Sequence, residues 1–425
     1  MITGAFGLTV DQNRYLPENG REVHAIVTVT GTASGIAASA GPDAAEVIIV
    51  DNSGSMSGDC IYAAKRAAKI AVDGLRDGVA FAIVAGHDRA KMVYPRTRQL
   101  VRSDPATRRE AKEAIGKITT TGGTAMGTWL RLAAELFDGR GGLRHAILLT
   151  DGVNQHESEH QLGRILTEIS GGFVCDCRGV GTDWEVAELR RIADALLGTV
   201  DIIPDPAGLA ADFRAMTEHA MGKAVADVAL RIWTPQNAVL RYVKQVLPAV
   251  ADLTGKRVEA GAQTGDYPTG AWGRETRDYH VCVEVPAGAV GREMRAAWIK
   301  LVAGGEVQAS ANVLAEWTDD EALSTRINPR VAHYTGQAEL AAVIQEGLEA
   351  RRAGDEDTAT ARLGRAVRLA GESGNTPLSE LLAKVVEVGE GGTVRLRRQV
   401  DKADEMSLDT RSVRTVRTRR AADDA

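Results

Sequence analysis

Strand-like and helix-like segments alternate over residues 45–220, and this alternation constrains the fold more than any other feature of the sequence. The run Val47–Val50 predicts a buried strand, because short β-branched runs bounded by turn residues suit the middle of a sheet. Similar apolar runs recur in VAFAIVAG, RHAILLT and FVCDCRGV, with helical segments between the strand-like runs. The pattern predicts an α/β domain with a doubly wound, mostly parallel sheet covered by helices on both faces. Ligands of such sheets bind beyond the carboxyl ends of the strands.

The flanking segments predict a second, different domain. Apolar and polar residues alternate over residues 22–30, and short strand-like runs separated by proline and glycine turns resume after residue 223. This pattern is typical of a β-sandwich. Because the first 40 residues are too few to bury a sheet alone, we expect residues 1–44 to pair with residues 223–317 in one discontinuous sandwich. The α/β domain, residues 45–222, is then inserted in that sandwich.

Helical periodicity returns in residues 318–390. Two amphipathic helices, AELAAVIQEGLEARRAGD and EDTATARLGRAVRLAGES, are expected to meet at Gly354, with a further helix in PLSELLAKVVEV. The pair resembles one tetratricopeptide-type (TPR-like) hairpin, which leaves two interpretations: a small helical domain packed on the sandwich, or a peptide-binding module. Residues 391–425 contain few core-forming residues and many arginines, serines and threonines, which predicts a disordered basic tail.

Composition and charge argue against several classes of function. A net charge of −6 gives no support for a nucleic-acid or anionic-membrane role, which needs a basic face. No apolar run approaches the roughly 20 residues of a membrane span, and no signal peptide is evident at the start, which favours a cytoplasmic location. The four cysteines are too few for a disulfide framework. Cys175 and Cys177 are interpreted as buried, reduced thiols, with a zinc or redox role as the alternative.

Oxygen-bearing side chains collect at the ends of predicted strands. Asp51 ends the first buried strand, and Ser53 and Ser55 follow it at alternate positions. Thr124 follows two glycines just before a helix, and Asp151 ends the strand-like run AILLTD. Hydroxyl and carboxylate oxygens suit Mg²⁺ or Mn²⁺ rather than zinc. Because one loop cannot surround an octahedral ion, we expect neighbouring loops on the same sheet edge to supply further ligands.

With Asp51-x-Ser53-x-Ser55, Thr124 and Asp151 in this order, the chain resembles the von Willebrand factor type A (vWA) family. The family's metal-ion-dependent adhesion site (MIDAS) has Asp-x-Ser-x-Ser, Thr and Asp on three successive loops. The resemblance implies that the three hydroxyls contact the ion and that the two carboxylates contact it or hold its waters. It also implies a docking function without catalysis, in which the ion takes a Glu or Asp carboxylate from a partner protein.

The domain order also resembles that of bacterial, actinobacterial-type three-part vWA proteins. Such proteins are associated with Ser/Thr kinases, PPM-type phosphatases and forkhead-associated proteins, which implies an adaptor or scaffold in Ser/Thr-phosphorylation signalling. In the tail, Thr410, Ser412, Thr415 and Thr418 lie between arginines. Two interpretations stay open for them: a merely soluble basic end, or phosphoacceptors whose phosphate, on Thr415 or Thr418, docks on a phosphothreonine reader.

A second string, HESEH at residues 156–160, matches the zinc-peptidase signature, with His156 and His160 as ligands and Glu157 as base. A zinc-peptidase motif lies inside a buried helix, whereas this one begins a helix in a polar stretch, and the third histidine of the extended pattern is missing. We therefore expect no enzymatic activity. The alternative is a zinc-dependent hydrolase with a more distant ligand such as Glu168 or Glu185. A surface adhesin is a third interpretation, which the missing export signal disfavours.

Overall fold

A computed structural model describes residues 5–32, 43–389 and 393–417. These residues divide into two compact units, residues 43–226 and residues 5–32 together with 227–417. The strands are β1 (Phe6–Gln12), β2 (Tyr15–Leu16), β3 (Glu22–Gly31), β4 (Ala44–Asp51), β5 (Ala80–Gly86), β6 (Ala90–Tyr94), β7 (Val101–Arg102), β8 (Leu143–Thr150), β9 (Val174–Val180), β10 (Val200–Ile203), β11 (Val225–Trp233), β12 (Val239–Leu247), β13 (Ala251–Asp252), β14 (Val258–Gly261), β15 (Thr264–Trp272), β16 (Thr276–Glu284), β17 (Glu293–Ala303), β18 (Glu306–Trp317), β19 (Val386–Val388) and β20 (Val394–Leu396). The α-helices are α1 (Asp59–Gly74), α2 (Pro105–Gly116), α3 (Met126–Phe137), α4 (Glu159–Ile169), α5 (Val186–Ala195), α6 (Leu209–Met221), α7 (Glu321–Ser324), α8 (Pro329–Arg352), α9 (Glu356–Glu372), α10 (Thr376–Val385) and α11 (Lys402–Arg411).

The unit of residues 43–226 is built on one sheet with the order β10-β9-β8-β4-β5-β6, and β7 also pairs with β5. The pairs from β10 to β5 are parallel, whereas β6 and β7 run antiparallel to β5. The helices form two groups, since α1 packs with α2 and α6 whereas α4 packs with α3 and α5. Every residue of the central strand β4 is buried. The predicted α/β domain with a mostly parallel sheet is confirmed.

Strand register brings the ends of three neighbouring strands together. Asp51, the last residue of β4, lies opposite Gly86, the last residue of β5. On the other side of β4, Val50 pairs with Leu149, so that β8 ends beside Asp51 at Thr150. Because the three strands are parallel, the loops that follow them leave from one edge of the sheet.

A charged cluster is buried near the opposite end of the same sheet. The imidazole of His145 lies 2.9 Å from a carboxylate oxygen of Glu46 on β4 and 3.1 Å from one of Asp176 on β9. Burial opposes the charge of His145, but Glu46 and Asp176 outweigh it and raise its pKa to about 10. Burial raises the pKa of Glu46, whereas the hydrogen bond to His145 holds the pKa of Asp176 below its usual range. The three side chains therefore form an ion cluster that cross-links three strands.

The other unit contains two sheets, with the orders β1-β3-β16-β12-β13 and β14-β15-β11-β17-β18-β2. In both sheets the N-terminal strands pair with strands from after residue 226, as predicted for a discontinuous sandwich. Aromatic packing connects the inner faces of the two sheets, since the ring centroids of Phe6 on β1 and Trp272 on β15 are 5.7 Å apart. Both side chains are buried.

Helices α8 and α9 form the predicted hairpin. They meet at Gly354, whose φ of +79° suits a glycine, and the Asp355 side chain caps α9 by accepting a hydrogen bond from the Thr358 amide. Their apolar faces join α10 and α11 in one core that includes Ile344, Leu363 and Leu408. Among the described residues, no helix combines the length and the apolar character needed to cross a membrane.

The prediction of a disordered tail over residues 391–425 is wrong for residues 393–417. β20 pairs with β19, helix α11 buries Leu408 completely, and the Val250 amide donates a hydrogen bond of 2.7 Å to the Val413 carbonyl. The small polar side chains that suggested disorder are buried with their hydroxyls satisfied: Thr410 donates to the Met406 carbonyl at 2.9 Å, and Ser412 donates to the Asp409 carbonyl at 2.7 Å. Residues 418–425, with the predicted phosphoacceptor Thr418, lie outside the described residues.

Replacing Leu408 with alanine is expected to lower the free energy of unfolding of this unit by about 2–5 kcal/mol, because the side chain is fully buried in the helical core. Urea unfolding followed by circular dichroism measures the change. Val388→Ala is the matched control, since Val388 on β19 is 54% exposed. Equal unfolding midpoints for the Leu408→Ala variant and the unmodified protein would show that α11 is not part of the core.

Candidate metal centre

The loop after β4 folds back on the strand end and gathers hydroxyls beside two carboxylates. Asp51 accepts a hydrogen bond of 2.7 Å from the Ser53 amide on Oδ1 and one from the Thr150 hydroxyl on Oδ2. The Ser53 and Ser55 hydroxyl oxygens are 3.0 Å apart. The Ser55 hydroxyl donates to Asp151 Oδ1 at 2.7 Å. The first and third loops of the predicted site therefore touch each other directly.

Thr124 reaches the same place from the loop that precedes α3. A Cβ placed on Gly152 would lie 3.0 Å from the Ser55 Oγ and 3.4 Å from the Thr124 Oγ1. The two hydroxyls therefore lie close together, next to Gly152. Backbone bonds hold the loops in this position: the Gly54 amide donates to the Gly122 carbonyl at 3.0 Å. Gly122 has a φ of +68°, a conformation that a side chain would strain. The structure thus brings the five predicted site residues together.

The two carboxylates lie in surroundings that suit a cation. Burial raises the pKa of Asp51 to about 6, and the nearby charge of Asp151 adds to the rise. Burial also raises the pKa of Asp151. Two ionised carboxylates destabilise each other when they are desolvated, and a bound cation removes that penalty. The set of three hydroxyls and two carboxylates consists of hard oxygen donors, which fits Mg²⁺ or Mn²⁺.

Comparison with known proteins agrees with this architecture. The sequence model of the von Willebrand factor type A domain matches residues 45–202, and that of the von Willebrand factor type A C-terminal domain matches residues 368–412. The solved structure of a von Willebrand factor type A protein from Catenulispora acidiphila is 53% identical, with 97% of each chain covered and a TM-score of 0.94. This chain belongs to the von Willebrand factor type A family. The C-terminal match includes the whole of helix α11.

Two more distant similarities show how far the likeness extends. VWA2, an ArnB paralog from Sulfolobus acidocaldarius, shares the fold with a TM-score of 0.60 at 15% identity, over 97% of this chain and 98% of that one. The uncharacterized protein sll0103 of Synechocystis sp. is 29% identical over 217 residues, which are 49% of either chain. This chain therefore spans about half the length of that curated relative.

The zinc-peptidase string of the vWA domain does not form a helical ligand pair. Helix α4 begins at Glu159 with Ser158 as its N-cap, so His156 lies before the helix. The two histidines therefore do not share one helical face, which the peptidase motif requires. Among the described residues, no three His, Cys, Asp or Glu side chains form a metal-binding group.

His156 and Glu157 instead hold the loop that carries Thr124. His156 Nδ1 accepts a hydrogen bond of 3.3 Å from the Thr124 amide, and its ring lies so close to Gly123 that a Cβ there would be 1.9 Å from the ring. Glu157 accepts a bond of 2.8 Å from the Gly127 amide at the start of α3. Hydrogen bonds to the backbone thus occupy His156 and Glu157, two of the three groups that the hydrolase interpretation requires.

Sequence reasoning missed two residues that contact the carboxylates. The Thr150 hydroxyl donates to Asp51, and a hydrogen bond from the Cys60 thiol lowers the pKa of Asp151, although burial prevails. Thr150 could have been found, because it precedes Asp151 at the end of the same predicted strand. Cys60 lies on the first turn of α1, and nothing in its local sequence indicates the contact.

A groove of about 960 Å³ adjoins the candidate metal centre. It runs from Asn52 between β6, the last strand of the sheet order, and helix α2. The Asn52 side-chain oxygen in this groove is buried and accepts no hydrogen bond. Cationic side chains outnumber anionic ones along the groove, with Lys91, Arg96, Arg98 and Lys117 facing Glu110 and Glu113.

Replacing Gly152 with alanine is expected to weaken Mg²⁺ binding roughly 10–100-fold without unfolding the domain. The new methyl group would crowd the Ser55 and Thr124 hydroxyls at 3.0 and 3.4 Å. Isothermal titration with Mg²⁺ measures the effect, and Gly141→Ala is the matched control because nothing lies within 4 Å of its added Cβ. Equal Mg²⁺ affinity in the two variants would mean that the ion lies elsewhere.

Proposed function

We propose that this protein is a non-enzymatic adaptor or scaffold that binds an acidic side chain of a partner protein through a divalent cation, Mg²⁺ or Mn²⁺. The observation that carries the proposal is the convergence of the Ser53, Ser55 and Thr124 hydroxyls beside the buried carboxylates of Asp51 and Asp151. vWA domains commonly mediate protein–protein interaction, and the family resemblance supplies this role for the site.

The chemistry of the ligands explains why the ion would take a carboxylate from outside. Neutral hydroxyls leave most of the cation's charge in place, and Mg²⁺ requires six oxygen ligands in a near-octahedral arrangement. Ser55 is exposed, so one side of the cluster is open to solvent. In this proposal Ser53, Ser55 and Thr124 hold the ion, and Asp51 and Asp151 contact it or orient its waters. A partner carboxylate then takes the open position.

The groove beside the site supports an extended, acidic partner segment. β6 forms the end of the sheet order, so its outer backbone groups are available for an added strand. Lys91, Arg96 and Lys117 along the groove complement acidic side chains.

The signalling context is a proposal from the three-part resemblance alone. The proposed partners are Ser/Thr kinases, phosphatases or phosphothreonine readers, and the proposed location is the cytoplasm. Fewer of the predicted phosphoacceptors are accessible than the sequence suggested, because Thr410 and Ser412 are buried. The Thr415 hydroxyl donates a hydrogen bond of 2.6 Å to the Val246 carbonyl, so its phosphorylation would first require release of the segment.

Retention of partners from a native lysate tests the proposed function. With Mg²⁺ present, the immobilised protein is expected to retain partners that EDTA releases and that added Mn²⁺ restores, since the ion forms the bridge. Chemical blocking of the Glu and Asp carboxylates of the eluted partners is expected to prevent rebinding. A set of retained proteins that is identical in Mg²⁺ and EDTA would contradict the proposal.

A further inference from the structure

Three donor atoms from three strands meet on the face of the first sandwich sheet that lies away from its core. They are Nδ1 of His24 on β3, the hydroxyl oxygen of Tyr242 on β12 and Nε2 of His280 on β16. The two nitrogens are 3.2 Å apart, and the phenol oxygen is 3.3 Å from each of them. Strand register fixes this triangle, because Cys282 pairs with His24 on one side and with Tyr242 on the other.

These distances fit a metal ion better than they fit a set of hydrogen bonds. A tetrahedral zinc ion with bonds of about 2.0–2.1 Å places neighbouring ligand atoms roughly 3.3 Å apart. A hydroxyl that donates a hydrogen bond lies closer to its acceptor, at about 2.5–3.0 Å. Moreover, the one proton of the Tyr242 hydroxyl can serve only one of the two imidazole nitrogens.

We propose that His24, Tyr242 and His280 bind a divalent transition-metal ion of the zinc class, with a fourth position left to solvent. This site uses nitrogen and phenol donors, so it differs in chemistry from the oxygen site of the vWA domain and does not depend on the proposed function. Among the described residues, no group of three His, Cys, Asp or Glu side chains could hold a metal ion, and in this triangle the third donor is the tyrosine oxygen.

The surroundings of the three donors suit a metal site with access to solvent. The His24 side chain is 37% exposed, which provides an entry path, whereas His280 is buried. His24 Nε2, its other ring nitrogen, lies 3.9 Å from a Glu22 carboxylate oxygen, as metal-binding histidines commonly direct the second nitrogen at a carboxylate. Burial lowers the pKa of His280 to about 3 and lowers that of His24, so both imidazoles are in the neutral form that binds metals.

Lys244 is the neighbouring group that opposes a cation. Its amine lies 5.0 Å from the centroid of the Tyr242 ring, and its charge adds to the lowering of the pKa of His280. The negative charge of Glu22 offsets the positive charge of Lys244, since it acts to raise the pKa of His24. Burial raises the pKa of Tyr242, so only a bound cation would draw off the phenol proton; the phenolate would then add a negative charge beside the ion.

Titration of the full chain with Zn²⁺ in saturating Mg²⁺ tests the proposal, because Mg²⁺ competes at the oxygen site only. One Zn²⁺ per chain is expected, and Co²⁺ as a substitute is expected to give the visible absorption of a tetrahedral ion. Tyr242→Phe keeps the ring and removes the oxygen, and His24→Ala removes a half-exposed ligand. Each is expected to weaken Zn²⁺ binding at least about tenfold.

His160→Ala is the matched control, since it removes an exposed histidine outside the cluster and is expected to leave the affinity unchanged. Circular dichroism of each variant shows that the sheets are intact. If Zn²⁺ binds with the same affinity to the unmodified protein, Tyr242→Phe and His24→Ala, the proposal is overturned. Absence of stoichiometric Zn²⁺ and of the Co²⁺ absorption overturns it equally.

Discussion

Replacing Asp51 with alanine is expected to abolish Mg²⁺ binding, and with it Mg²⁺-dependent partner capture, while the vWA sheet stays folded. The Asp51 carboxylate anchors the Ser53 amide and the Thr150 hydroxyl, so its loss removes a charge and releases the loop that presents Ser53 and Ser55. Isothermal titration with Mg²⁺ measures binding. Mg²⁺ is also expected to raise the Tm of the unmodified protein and to leave that of the variant unchanged, because only the former binds the ion.

Two further variants separate loss of the ion from loss of the fold. Asp51→Asn keeps an oxygen that can accept the Ser53 amide, and it is expected to lose Mg²⁺ affinity as well, because the charge is gone. Asp138→Ala removes an exposed aspartate of the same unit and is expected to bind Mg²⁺ normally. Mg²⁺ binding of unchanged strength in both Asp51 variants would exclude Asp51 from the ion site.

Replacing His145 with leucine is expected to lower the free energy of unfolding of the vWA domain by about 3–5 kcal/mol near neutral pH. The substitution leaves the fully buried carboxylate of Glu46 and the mostly buried carboxylate of Asp176 without their shared cation. The double variant Glu46→Leu with His145→Leu is expected to recover most of the loss, because Asp176 still accepts a hydrogen bond of 2.8 Å from the Thr199 amide. Urea unfolding of the three proteins measures the differences, and a single variant as stable as the double variant would contradict this account.

The same cluster gives the unmodified protein a defined pH dependence. Because the pKa of His145 is about 10 in the folded state and near 6.5 in the unfolded chain, its contribution is complete below about pH 6.5. The contribution is then lost as the pH rises towards about 10. The double variant lacks this proton, so its stability is expected to fall less over that range. Parallel stability curves for the two proteins would show that His145 is not charged in the fold.

The arrangement of the candidate site was predictable from the sequence, because its two aspartates lie at strand ends. Asp51 and Asp151 each come at the end of a buried apolar run, and neighbouring parallel strands bring such ends to one edge. The groove was not predictable in the same way. It depends on how α2 lies beside β6, and the unpaired oxygen of Asn52 appears only once the loops are folded.

The tail shows why composition can mislead. Large apolar residues are few in residues 393–417, yet α11 buries Leu408 together with Ser407 and Thr410. A hydroxyl that donates a hydrogen bond to a carbonyl of its own helix can be buried at little cost. The serines and threonines of α11 therefore gave no sign that this helix faces the core. The short string at His156 did not mislead in this way, because we expected it to begin a helix in a polar stretch, and the helix does begin at Glu159.

The three metal-binding donors proposed for the sandwich had no signal in the sequence. His24 and His280 are 256 positions apart along the chain, and Tyr242 is 218 positions from His24. Only the register of β3, β16 and β12 places them in one triangle. Spacing rules find sites within one element or on consecutive strand ends, and they do not find sites that depend on cross-strand register.

Anomalous scattering from a crystal grown with Mn²⁺ would show whether the oxygen cluster of the vWA domain holds an ion. We expect one Mn²⁺ peak at the edge of the vWA sheet, in contact with the hydroxyls of Ser53, Ser55 and Thr124 and with one coordination position open to solvent. Hydroxyls that point apart with no ion between them would contradict the account, as would a side chain of this protein in the last position.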